Sequence, residues 1–102
     1  MSDSGPGGIG HACEFETSLL LLVAPQLVRT DAIPSRANVA TFDWAEGDLI
    51  RSPRAALFRT MKQMTPHGAY GEPSLATAEK GRQITAIVCD ALVRILTDLA
   101  TP

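Results

Sequence analysis

Aromatic side chains are scarce. Phe15, Phe42, Trp44, Phe58 and Tyr70 are the only five in 102 residues, so a core must rest mainly on aliphatic groups. There is no run of basic residues. The nine Lys and Arg are scattered and outnumbered by eleven acids, giving a formal net charge of −2, which argues against a nucleic-acid footprint. There is no long hydrophobic stretch: the apolar run Leu19–Val23 has five residues, far fewer than a bilayer requires. Residues 1–10 contain no Lys or Arg, so they do not read as an export signal. With no such signal, Cys13 and Cys89 read as reduced thiols in a cytoplasm rather than as a disulfide.

What remains is an ordinary globular composition. At 102 residues and 45% apolar content the chain can form one modest core and one domain at most. Residues 1–10, MSDSGPGGIG, read as a flexible glycine-rich leader, and 11–102 as the folded part. The leader contains Gly5-x-Gly7-x-x-Gly10 with an acid, Asp31, about twenty residues on. That pattern binds dinucleotides only when a strand precedes it, and four residues leave no room for one.

The stretch around which the chain is organised is Gly7 to Val28. A glycine cluster leads to His11, then Glu14 and Glu16, then Thr17, Ser18 and the apolar run, closing at Pro25. The pattern predicts a helix from residue 14 to about 24, with acids in its first turn where free backbone N–H groups favour negative charge. A run that is apolar all round predicts burial on more than one face. Residues 25–38 read as a connection. Val39–Phe42 and Leu57–Met61 carry some strand character, with turns between them, and residues 65–74 read as a constrained loop. The last element is the clearest. Ile84, Ile87, Val88, Ala91, Leu92, Ile95, Leu96 and Leu99 recur at helical spacing from about Ala76 to Leu99, with Arg82, Gln83, Asp90, Arg94 and Asp98 opposite. Asp90 precedes Arg94 by four residues, the favourable order for an ion pair. Gly81 inside this helix costs about 1 kcal/mol relative to Ala, which close packing against a neighbour would explain.

Two motifs carry a resemblance. The segment HACEFETSLLLLVAPQLV, from His11 to Val28, resembles a His-Ala-Gly-Glu-x-Glu-Thr-Ser segment followed by an apolar helix and Pro-x-Leu-Val. The segment from Gly68 to Gly81, GAYGEPSLATAEKG, resembles a Gly-Val-x-Gly-Asp-Pro…Ala-Thr…Glu-Lys-Gly segment. Both belong, in this order, to the C-terminal part of the creatininase (creatinine amidohydrolase) family. Cys13 stands where that family mainly has glycine, and Glu72 where it usually has aspartate.

The resemblance implies an α/β chain: the C-terminal fragment of a creatininase-like α/β/α fold, two helices with short strands and loops between them. It implies metal-dependent hydrolysis of an amide C–N bond, with His11 as general acid/base and Glu16 as its support. The substrate would be a small-molecule amide or a modified peptide. The divalent metal, zinc or manganese, would be held by Glu-x-His, Asp and His-x-Glu positions upstream of this segment, none of which this chain carries. The isolated chain is therefore expected to be inactive. It is expected to act in the cytoplasm, without nucleic acid or membrane, as a homo-oligomer or as a chain lacking an N-terminal portion.

For each candidate there is a plainer reading. His11 could be a solvated loop histidine, Glu16 a helix-terminal acid, and Glu14 a structural or solvated one. His67 is expected to be exposed, and a zinc site built from His11, Cys13, His67 and Cys89 has only ligand type in its favour. A different class of function also fits: a non-catalytic remnant or accessory helical module that associates through its apolar helix faces.

Overall fold

Two helices meet where a glycine lets them touch. In the computed structural model, which describes residues 3–51 and 53–101, helix α1 (Glu14–Val23) packs on the first turns of helix α3 (Ala78–Ala100). A Cβ at Gly81 would lie 2.2 Å from the Ser18 carbonyl oxygen and 3.0 Å from Leu22 Cβ. The close packing expected of Gly81 is thus present. Beside it, Ser18 Oγ accepts the Thr77 N–H at 3.1 Å. Thr77 in turn caps α3, its hydroxyl accepting the Lys80 N–H at 3.1 Å.

The fold is α/β, as expected. A two-stranded antiparallel sheet joins β1 (Ile9–His11) to β2 (Tyr70–Gly71). Short 3₁₀ turns follow α1 at Pro25–Leu27 and Thr30–Ala32, and others lie at Asp43–Ala45 and Pro73–Leu75. A one-turn helix, α2 (Met61–Met64), adds a third helix to the two expected. Thr60 and Gln63 close a reciprocal capping box at its start.

Two expectations are corrected. The strands are not at Val39–Phe42 or Leu57–Met61, which carry no strand. Each of those runs lacks a neighbour to pair with along its length; Val39 donates one backbone bond, to Met64, at 2.7 Å. The strands fall instead at 9–11 and 70–71, where glycines had suggested loop. Within the glycine-rich start, Gly7, Gly8 and Ile9 are buried. The Asn38 amide donates to the Gly7 carbonyl at 2.7 Å and accepts the Gly71 N–H at 2.9 Å, clamping the two segments together. Finally, the apolar run of α1 is not buried on several faces. Glu14 and Ser18 are the buried residues of that helix, while Leu20 is 39% and Val23 72% exposed. Among the described residues α3 packs most extensively along it, the 3₁₀ turns at Pro25–Leu27 and Pro73–Leu75 and strand β1 also touch it, and Phe15, Leu19, Leu21 and Leu22 are half-buried.

The interior is correspondingly small and unusually polar. Ile9, Cys13, Ala45, Ala69, Tyr70 and Ile84 are buried together with Glu14, Ser18, Asp48 and Thr65. Most large apolar side chains of α3 lie outside it. Among the described residues no helix is long and apolar enough to cross a membrane.

Candidate functional site

His11 leaves the sheet through two local devices. Ile9 pairs with Gly71, but His11 pairs with Tyr70, so one extra residue, Gly10, bulges on β1. Bulges re-aim the side chain that follows them and recur beside functional sites. Only glycine fits this one, because a Cβ at Gly10 would sit 2.6 Å from the Tyr70 ring and 2.7 Å from its carbonyl oxygen. Next, Ala12 holds φ at +49°, in the left-handed region. That conformation costs a non-glycine residue about 1–2 kcal/mol, and such strain persists where the surroundings enforce it. The result is an exposed imidazole at the end of a short, pinned strand.

The pins are polar. The Asp48 carboxylate accepts the N–H groups of Ile50 at 2.8 Å and Arg51 at 3.0 Å, and the Leu49 N–H bonds to the Ile9 carbonyl at 2.8 Å. Burial opposes the Asp48 charge, but those N–H groups, with Gly7 and Ile9 facing it, hold its pKa below the usual carboxylate value. Behind Cys13, which is 1% exposed, lies Glu14, also 1% exposed. Glu14 Oε1 meets Lys80 Nζ at 2.9 Å and accepts the Asp3 N–H at 3.1 Å, while Lys80 also meets the Asp3 carboxylate at 2.9 Å. Burial again raises the pKa of Glu14, and the bonds from Lys80, Asp3 and Ser4 outweigh it, so the net shift is downward. Lys80 is shifted up by the same pairing with Glu14 and Asp3.

Glu14, which the sequence left as structural or solvated, is structural. It ties the start of the chain, α1 and α3 at one point. Glu16, the expected support of His11, lies exposed on the first turn of α1. Among the described residues no hydrogen bond or ion pair joins the His11 and Glu16 side chains. His67 is exposed, as expected, yet both ring nitrogens are engaged. Nδ1 lies 3.2 Å from the Ala69 N–H and so accepts, which leaves the proton on Nε2 for the Ser35 carbonyl at 2.9 Å. An open cleft of about 340 Å³ lies between these segments, lined by Ala12, Thr17, Leu20, Ile33 and His67 among others. It borders the immediate neighbours of His11 and Glu16 without including either.

The residues present do not fit a divalent metal. Among the described residues no three of His, Cys, Asp or Glu converge. Cys13 is buried beside Glu14, Cys89 is exposed on α3, and His67 is committed to backbone. Sequence reading missed Asn38 and the role of Lys80. Lys80 stood inside the Glu-Lys-Gly motif and was accessible to reasoning, because a buried acid at residue 14 needs a cation. Nothing in the sequence marks Asn38.

The model of the family described as creatinine amidohydrolase matches residues 1–96. Curated relatives include the mycofactocin precursor peptide peptidase of Mycobacterium tuberculosis (strain CDC 1551 / Oshkosh), 35% identical over 94 residues. The protein of the same name from Mycobacterium ulcerans (strain Agy99) is 38% identical over 87 residues. These matches cover 87% and 85% of this chain but 32% of each relative. The chain thus spans about a third of the length of the curated relatives it matches. No solved structure matches it.

Proposed function

The chain belongs to the creatininase family, and we propose that it supplies the proton-transfer part of an amidohydrolase whose whole domain cleaves C–N bonds with the help of a divalent metal. The observation that carries the reading is the setting of His11. A bulge at Gly10 and a left-handed Ala12 present an imidazole to solvent from a pinned strand, inside the segment that matches the family. Imidazole is suited to exchange protons near neutrality. In this role His11 takes a proton from the attacking water or gives one to the leaving nitrogen. In this reading Glu16, exposed on the first turn of α1, is its support. The name of the mycobacterial relatives favours a peptide over a small cyclic amide as substrate. Two free thiols are compatible with a cytoplasmic setting.

The metal donors belong to residues outside these 102, so the chain alone is inactive in this reading. The pure protein supplied with zinc or manganese should not hydrolyse a peptide or a cyclic amide, and turnover would overturn that part. The role of His11 is tested in a chimera in which this chain replaces the matching third of the mycobacterial peptidase. If the chimera is active, His11→Ala should reduce kcat by about 10²–10⁴-fold, the range for a lost acid/base. A drop of less than about twofold there would remove His11 from the chemistry.

A further inference from the structure

The cleft beside the His11 loop has walls from three segments. Thr17 and Leu20 of α1 form one, residues between Val28 and Pro34 a second, and the loop from His67 to Ala69 a third. Bonds within the chain set its shape. The Thr17 hydroxyl donates to the Ala12 carbonyl at 3.4 Å, and His67 Nε2 donates to the Ser35 carbonyl at 2.9 Å, tying the loop to the connection. The volume, about 340 Å³, lies near the lower end of the range for ligand sites, so the cleft has room for the end of a peptide rather than for a long segment. It also lies beside the candidate chemistry. Ala12 follows His11 and Thr17 follows Glu16. Viewed down α1, Leu20 falls between Glu16 and Thr17, so Glu16 stands at the edge of the wall that Leu20 and Thr17 form.

The lining is mostly aliphatic, with one charge. Among the described residues Arg29 is the lining group with a permanent charge, and no acid lines the cleft. His67 spends both ring nitrogens on backbone. Among the described residues the ion pairs formed do not include Arg29, so its guanidinium is left for a ligand. An aliphatic wall with one such cation selects a molecule that carries an apolar group and an anion side by side. The C-terminal residue of a peptide is built that way, since its side chain and its carboxylate leave the same Cα. Guanidinium also matches a carboxylate through paired N–H donors. We propose that this cleft receives the C-terminal residue of a peptide substrate, its aliphatic side chain against Leu20, Val28 and Ile33 and its free carboxylate on Arg29. The proposal rests on the hydrolase reading above and narrows its substrate: the bond brought to His11 is the last peptide bond. Water then adds its hydroxyl to the carbonyl carbon, the C–N bond breaks, and the leaving nitrogen takes a proton and departs as the amine of a free amino acid.

The test is an amide NMR titration of the 102-residue chain with N-acetyl-Ala-Leu. Resonances of Ala12, Thr17, Leu20 and Ile33 should move together to saturation. Arg29 is exposed, so Arg29→Gln does not threaten the fold. That variant with N-acetyl-Ala-Leu, and the wild type with the carboxamide of the same peptide, should each bind about fivefold or more weakly, the worth of one exposed ion pair. N-acetyl-Ala-Gly should bind about tenfold more weakly, having lost the aliphatic side chain. In the chimera described above, Arg29→Gln should raise KM for a peptide ending in free leucine and close the gap between it and its carboxamide. Equal binding of acid and carboxamide, equal binding of leucine and glycine, or shifts confined to other segments overturns the proposal. Tighter binding of N-acetyl-Leu-Asp-amide also overturns it and gives the cleft to an internal acidic side chain. The His11 test has a separate outcome. Binding as expected with His11 dispensable leaves a site for peptide ends without the hydrolase reading. No binding with His11 essential leaves the hydrolase reading without this cleft.

Discussion

Replacing Gly81 with alanine sets two effects of opposite sign against each other. Helix propensity favours alanine by about 1 kcal/mol. Packing opposes it, because the new methyl would stand 2.2 Å from the Ser18 carbonyl oxygen and 3.0 Å from Leu22 Cβ. An ordinary contact needs a further ångström or more, and the obstacle is backbone, which no rotamer change can move. The helices must part, and the Ser18 Oγ to Thr77 N–H bond, 3.1 Å at present, must stretch with them. Overpacking costs about 1–3 kcal/mol, and loss of that bond about 1 kcal/mol more. Packing wins, and Gly81→Ala should destabilise the protein by about 2 kcal/mol net. For a domain of this size that lowers Tm by roughly 8–16 °C. Thermal unfolding followed by circular dichroism measures it. A Tm raised by several degrees would mean that only propensity acts, and that α1 and α3 do not meet at this point.

Two further substitutions probe the residues that flank this packing. Glu14→Gln should cost about 2 kcal/mol at neutral pH, less than the 3–5 of a fully broken buried pair, because Lys80 keeps Asp3 at 2.9 Å. The pKa of Glu14 is depressed in the fold, so its contribution is present above the unfolded value, about 4.3, and disappears as pH falls through the folded one; urea unfolding across the acid range should show wild type and variant converging there, and parallel curves would refute the pairing. Ala12→Gly should leave stability unchanged or raise it by up to about 1 kcal/mol, because relief of the left-handed conformation, about 1–2 kcal/mol, offsets the 0.4–1 kcal/mol that a glycine normally loses through the unfolded chain. A loss of 1 kcal/mol or more in the same assay would show that Ala12 is not strained.

The helices were legible because their signals are local. First-turn acids and Pro25 bound α1 almost to the residue, and the spacing from Ile84 to Leu99 announced α3. Gly81 was legible for a different reason: a costly residue in a good helix demands a cause. The strands were not legible. Three residues and two residues cannot show a period of two, and β1 and β2 are specified by what meets across them: Gly10 against Tyr70 and Asn38 between Gly7 and Gly71. Such contacts join residues more than thirty positions apart and leave no pattern along the chain. The apolar run of α1 misled in an instructive way. Apolarity predicts that a face needs cover; it does not say that the same chain supplies it. The Asp90–Arg94 spacing likewise permitted an ion pair, whereas the pair formed on α3 is Arg82–Glu79, at 2.9 Å.

The division between buried and exposed groups carries the main physical lesson about the site. Many aliphatic side chains are here outside, and the inside holds Glu14, Ser18, Asp48 and Thr65 beside its hydrophobic residues. Buried polar groups are expensive unless satisfied, and partners from distant segments satisfy Glu14 (Lys80 and Asp3) and Ser18 (Thr77), while Asp48 Oδ1 is held locally by Ile50 and Arg51. Apolar packing tolerates small slides, but a charge-assisted bond weakens steeply with angle and distance. A joint built from such bonds fixes β1, the N-terminus of α1 and the start of α3 relative to one another, although little apolar area is buried there. That joint is what His11 is mounted on, one residue from left-handed Ala12 and two from buried Cys13.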